Sequence, residues 1–114
     1  MNQKDSFNLE FKQEPSKTFL KTVSAFANYN DGRIVFGIDD DGNITGIDNA
    51  KTESLKIENM INDSISPIPD FDIQVSKNEN KEIVILNVKK GKDTPYYYNG
   101  KAYRRSGTST VEVD

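Results

Sequence analysis

Apolar and polar positions change their period several times along the chain, and each change marks an expected element. Leu9-Glu10-Phe11-Lys12 alternates apolar and charged residues, the period-two signature of a short strand. After Pro15 the spacing becomes helical. Phe19, Leu20, Val23, Phe26 and Ala27 share one face of a helix that the pattern runs from Pro15 to about Tyr29. Asn30-Asp31-Gly32 is expected to stop it, with Gly32 in the left-handed conformation that helix ends favour. Arg33 to Ile38 is apolar on both faces, as a central strand would be. Asp39 to Gly42 reads as a turn and Asn43 to Ile47 as a returning strand. A second amphipathic helix is expected from about Thr52 to Ser64, burying Leu55, Ile57, Met60 and Ile61, and Pro67 and Pro69 close that region.

The remainder reads as β. Phe71, Ile73 and Val75 alternate with polar residues, Asn78 to Lys81 turns the chain, and Glu82 to Val88 is a largely apolar strand. Asn99-Gly100 lies between β-prone residues and is the preferred pair for a type I′ hairpin turn, because both positions tolerate positive φ. Such a turn sets Tyr98 opposite Lys101, Tyr97 opposite Ala102 and Tyr96 opposite Tyr103. The order β-α-β-β-α-β-β-β-β predicts an α+β domain, a mostly antiparallel or mixed sheet of at least five strands with two helices packed on it. Residues 1–114 read as one domain. The chain stops soon after its last strand, so it is expected to be the N-terminal part of a longer protein.

Composition narrows the chemistry. A chain of 114 residues buries one core. It has no Cys and no His, which excludes disulfides, thiolate zinc sites, a Cys nucleophile, a Ser-His-Asp triad and His metal ligands. A metal would have to be held by oxygen, as Mg²⁺, Mn²⁺ or Ca²⁺ are. No apolar run reaches the length of a membrane span and no signal-peptide pattern opens the chain, so a cytoplasmic protein with no membrane partner is expected. The net charge of −3 argues against a uniformly basic nucleic-acid binder, yet the charge is polarised. Asp31, Asp39, Asp40, Asp41 and Asp48 face only Arg33 in the middle of the chain, whereas Lys89, Lys90, Lys92, Lys101, Arg104 and Arg105 face only Asp93 near its end.

That basic segment carries the first candidate site. The expected hairpin shows Tyr96, Tyr98, Lys101, Tyr103 and Arg105 on one face, with Tyr97, Ala102 and Arg104 on the other. Rings interleaved with cations suit a nucleic-acid strand, whose bases stack while its phosphates meet Lys and Arg. Half-buried β-prone tyrosines with solvated basic neighbours give the same pattern, and spacing leaves both open. Arg105 would fix a phosphate bidentately, with Lys12 and Arg33 as further contacts. Glu10 points opposite to Leu9 and Phe11 and on the same side as Lys12, which reads as a solvent-facing pair. No phosphate-loop pattern ending in Gly-Lys-Ser/Thr occurs.

Several blocks also resemble a known family. Leu9-Glu10-Phe11-Lys12, the stretch from Lys21 to Asn28, the stretch from Asp31 to Asp40 and the closing stretch from Tyr103 to Thr110 together resemble the Schlafen-type AlbA-like domain, in that family's order. The resemblance implies a DNA-binding or RNA-binding domain of the kind found at the N-terminus of bacterial transcriptional regulators, needing no cofactor. It also implies an alternative. Some animal Schlafen proteins are metal-dependent ribonucleases with three carboxylates, and the matching positions are Asp5 (where that family has Glu), Glu10 and Asp40. Clustered carboxylates of this kind would hold Mg²⁺ or Mn²⁺ for phosphodiester cleavage. A third alternative is a non-catalytic dimerisation module that packs on a second copy of itself.

Overall fold

A computed structural model describes residues 4–114. Its elements in chain order are β1 (Leu9–Lys12), α1 (Phe19–Tyr29), β2 (Gly32–Phe36), α2 (Ala50–Ser64), β3 (Ile65–Ser66), β4 (Phe71–Asn78), β5 (Lys81–Val88), β6 (Tyr97–Tyr98), β7 (Tyr103–Ser106) and β8 (Ser109–Glu112). The fold is α+β, with two helices and a mixed sheet. That sheet has the order β1-β2-β5-β4, parallel between β1 and β2 and antiparallel elsewhere. No helix among the described residues is long and apolar enough to cross a membrane.

The central position of β2 explains its unbroken apolar run. Ile34 and Phe36 point to the helices and are fully buried, in the same cluster as Phe19, Leu20, Val23 and Phe26 of α1, Ile57 and Ile61 of α2, and Val84, Leu86 and Val88 of β5. Phe19 meets Phe36 edge to face, with ring centroids 5.3 Å apart, a favoured aromatic geometry. Val35 points the other way and joins Phe11 and Ile83 in a smaller cluster on the opposite face of the sheet.

Strands beyond the main sheet are divided between two small ones, β3-β6 and β7-β8. The strand total exceeds the expected five, but the strands do not form one sheet. The cause is α1, which is buried nearly all round. One side of it joins the core against the main sheet, and other side chains, such as Thr22 and Ser24, meet the tyrosine segment and the β7-β8 hairpin. Asn99 and Gly100 do adopt positive φ, and Tyr98 and Lys101 exchange backbone hydrogen bonds of 2.8 and 3.1 Å. Beyond that pair the expected ladder does not form. Tyr97 and Tyr98 pair instead with Ser66 and Ile65, and Tyr103 to Ser106 pair with Glu112 to Ser109.

Three local expectations change. Asn43 to Ile47 is not a strand; Ile38 and Ile44 form a single bridge, and the Thr45 and Gly46 amides both donate to the Gly37 carbonyl. Leu55 is 55% exposed, whereas Ile57 and Ile61 are buried. Positions two apart on a helix face nearly opposite ways, so Leu55 cannot share the Ile57 face. α1 ends on an extended Asn30, and Gly32 is a strand residue without positive φ. Its glycine is required by close approach instead, because a Cβ there would run into the Phe26 ring. Phe26 is buried and cannot yield. Gly32→Ala is therefore expected to lower stability by about 1–3 kcal/mol, the usual cost of overpacking. Urea unfolding measures it, and an unchanged midpoint would contradict the packing argument.

Candidate functional site

Glu10 does not face solvent. Strand alternation turns it away from Leu9 and Phe11 as expected, but that side of β1 lies under α1 and the β7-β8 hairpin, and Glu10 is buried. Its Oε1 accepts hydrogen bonds from Arg105 Nη1 at 2.9 Å and Thr22 Oγ1 at 3.2 Å. Its Oε2 is buried with no hydrogen-bond partner, and the Lys12 ammonium stands 3.9 Å away. Lys12 Nζ also donates to Thr18 Oγ1 at 3.3 Å.

Arg105 has the opposite role from the one expected. Its side chain is 5% exposed, and all three of its nitrogens donate within the domain. Nη1 donates to Glu10 and to Thr110 Oγ1 at 3.0 Å, Nη2 to the Ser6 carbonyl at 2.7 Å, and Nε to the Phe7 carbonyl at 3.2 Å. A guanidinium held in this way is not presented to an external phosphate. It ties β7 to β1 and to the turn between Ser6 and Leu9, and its Cζ lies 5.7 Å from the Phe26 ring centroid.

The tyrosines divide in the same manner. Tyr96 is 3% exposed and belongs to the core, and Tyr103 is also buried. Two α1 side chains hold this segment. Asn28 accepts from the Tyr96 amide at 2.7 Å and donates to its carbonyl at 3.0 Å. Ser24 Oγ donates to the same carbonyl at 2.8 Å and accepts from the Tyr103 amide at 3.2 Å. Tyr98 is half-buried, with its ring 6.5 Å from that of Tyr103. Tyr97 is exposed, and Lys101 pairs with Glu112 at 3.4 Å. Sequence reasoning had assigned no role to Thr22, Ser24 and Asn28. The available signal was three polar side chains within a helix that, Lys21 aside, is otherwise apolar or small.

The three carboxylates of the nuclease alternative do not assemble. Asp5 Oδ1 accepts from the Phe11 amide at 3.0 Å, and Asp40 is exposed in the turn after β2. Among the described residues no group of three acidic side chains is placed to hold a metal ion. Glu10, the buried member, already has two cationic neighbours, which satisfy its charge and would repel a divalent ion. The residues present do not fit such a metal.

Exposed cations lie elsewhere. Arg33 and Arg104 are both exposed, and neither has an ion-pair partner among the described residues. Each lines a cleft. One, of about 380 Å³, includes Asn8, Asp31, Arg33 and Lys89; the other, of about 160 Å³, includes Phe7, Tyr29, Asn30 and Arg104. Phe7 and Asn8 are consecutive, as are Asn30 and Asp31, so the two clefts are lined from the same two stretches of chain.

The fold has known relatives. The crystal structure of the DIP2311 protein from Corynebacterium diphtheriae superposes with a TM-score of 0.75 at 18% identity, covering 95% of this chain and 22% of that one. This chain thus spans about a fifth of that protein's length. The solution structure of the N-terminal domain of an ATP-dependent DNA helicase RecG-related protein from Nitrosomonas europaea gives a TM-score of 0.66 at 21% identity, covering 90% of this chain and 78% of that one. At these identities the likeness is one of fold. No curated protein matches the chain. The family model described as "Schlafen, AlbA_2" matches residues 5–114, taking in β1 with Glu10, the buried polar side of α1 and the closing hairpin with Arg105, and the chain therefore belongs to the Schlafen AlbA_2 family.

Proposed function

We propose that this domain binds nucleic acid and serves as the DNA-contacting module of a longer transcriptional regulator. The observation that carries the reading is the pair of exposed arginines, Arg33 and Arg104, which have no ion-pair partner among the described residues and line clefts built from the same two stretches of chain. The chain has three arginines, and the third is the buried Arg105. Exposed guanidiniums match phosphate geometry and cost little to desolvate. Family membership and the DNA helicase RecG-related protein among the fold relatives support the same reading. The proposed contact surface thus moves from the tyrosine face of the hairpin to the clefts lined by Arg33 and Arg104.

Fluorescence anisotropy with labelled DNA across a salt series tests this. Affinity should fall as salt rises, because bound phosphates release counterions. The double variant Arg33→Ala/Arg104→Ala should bind all sequences more weakly and lower the salt slope by about two. An unchanged slope would place the interface elsewhere, and absence of binding by the unaltered protein would end the reading.

A further inference from the structure

We infer that the cleft between Phe7 and Tyr29 receives an unpaired nucleobase, so that the ligand is a single strand rather than a duplex. This rests on the nucleic-acid reading above and specifies its ligand. Phe7 is 53% exposed and Tyr29 44% exposed, two of the few large apolar side chains left in solvent, and both line the same cleft. Its remaining lining comes from the buried α1 residues Ala25 and Phe26, from Asn30, and from Arg104 and Arg105. Two exposed rings beside an exposed arginine have the composition of a stacking site. A base offers a flat π-face to the rings, and its phosphate meets the arginine.

The exposure of Phe7 is built in. Arg105 donates to the carbonyls of both Ser6 and Phe7, and the Ser6 amide donates to the Leu9 carbonyl at 2.9 Å. The turn that carries the ring is therefore pinned to the buried Glu10 ion pair, and the ring is held out before any ligand arrives. Pre-organisation of this kind reduces the ordering cost of binding. The Arg33 cleft is electrically balanced. Arg33 and Lys89 face Asp31, whose carboxylate accepts from the Lys90 amide at 2.8 Å, and Asp72, which accepts from Asn87 at 2.9 Å. It leads the backbone of a strand away from the stacked base without holding a dense run of phosphates. A duplex keeps its bases inside the stack and could fill the ring cleft only by extruding one, at a cost of a few kcal/mol.

The test uses three labelled probes of equal length: an oligothymidylate, the same strand with abasic sugars, and a duplex. The unaltered chain is compared with Phe7→Ala/Tyr29→Ala. The unaltered chain should bind the oligothymidylate more tightly than either other probe. The double variant should lose roughly 5- to 150-fold for the oligothymidylate, the range for one stacked base, and nothing for the abasic strand. If the variant keeps its affinity for the oligothymidylate, or the unaltered chain binds the abasic strand or the duplex equally well, the stacking inference is overturned while phosphate binding stands. If the unaltered chain binds none of the three, both readings fall. Phe7→Leu/Tyr29→Leu keeps apolar cover without a π-face and should show the same loss, which separates stacking from damage to the fold.

Discussion

Arg105→Ala is expected to lower folding stability by about 3–5 kcal/mol, the cost of breaking a buried ion pair from one side. Both side chains of the pair are close to fully buried, so solvent screens little of the loss. The substitution strands the Glu10 carboxylate with only Lys12 at 3.9 Å for charge, and removes the donors to the Ser6 and Phe7 carbonyls and to Thr110. Arg105→Lys should recover less than half of the loss, since one ammonium cannot span acceptors arranged around a planar fork. Adding Glu10→Gln to Arg105→Ala should restore part of it by removing the stranded charge. Urea unfolding of the parent, Arg105→Ala, Glu10→Gln and the double variant provides the cycle. A loss below about 1 kcal/mol for Arg105→Ala, the level of an exposed pair, would show that the guanidinium is not structural.

Asn28→Ala is the second large effect, about 2–4 kcal/mol. It deletes two hydrogen bonds to the Tyr96 backbone and leaves a buried amide without an acceptor. The Tyr96 carbonyl keeps its bond from Ser24, so the exposed weakness is the Tyr96 N–H. Hydrogen exchange at that amide should accelerate along with the fall in stability. Asn28→Asp keeps the shape and the acceptor but turns an oxygen toward the Tyr96 carbonyl, where the native amide donates. It should destabilise at least as much as Ala. An Asp variant as stable as the parent would refute this account of the clamp.

Local signals in the sequence were read well where the deciding forces are local. The Asn99-Gly100 turn, the Glu79-Asn80 turn with both residues at positive φ, and the two-sided burial of β2 all follow from nearby residues. The misreadings fall where a distant partner decides. The expected hairpin register sets Tyr96 on one face with Tyr98 and Lys101, and only the polar side of α1 draws it inward. Glu10 reads as solvent-facing until Arg105, ninety-five residues later, is placed beside it. The same dependence hid Phe7 and Tyr29, which neither share a periodic element nor neighbour each other until the Ser6–Leu9 turn is pinned beside the end of α1. Asp40 could be read as a ligand or as a turn residue, and the fold leaves it in the turn.

The long reach of Arg105 also bears on how the chain comes to fold. Its bonds to Ser6, Phe7 and Glu10 join positions 95 to 99 residues apart, and Thr22 meets Thr110 across 88. Contacts of that separation close large loops before they return any free energy, and domains rich in them fold slowly. During synthesis, β1 cannot acquire the partner for its buried carboxylate until the closing hairpin has left the ribosome. A chain cut short before Tyr103 should therefore leave β1 and the Ser6–Leu9 turn more open to protease than in the chain that carries the closing hairpin.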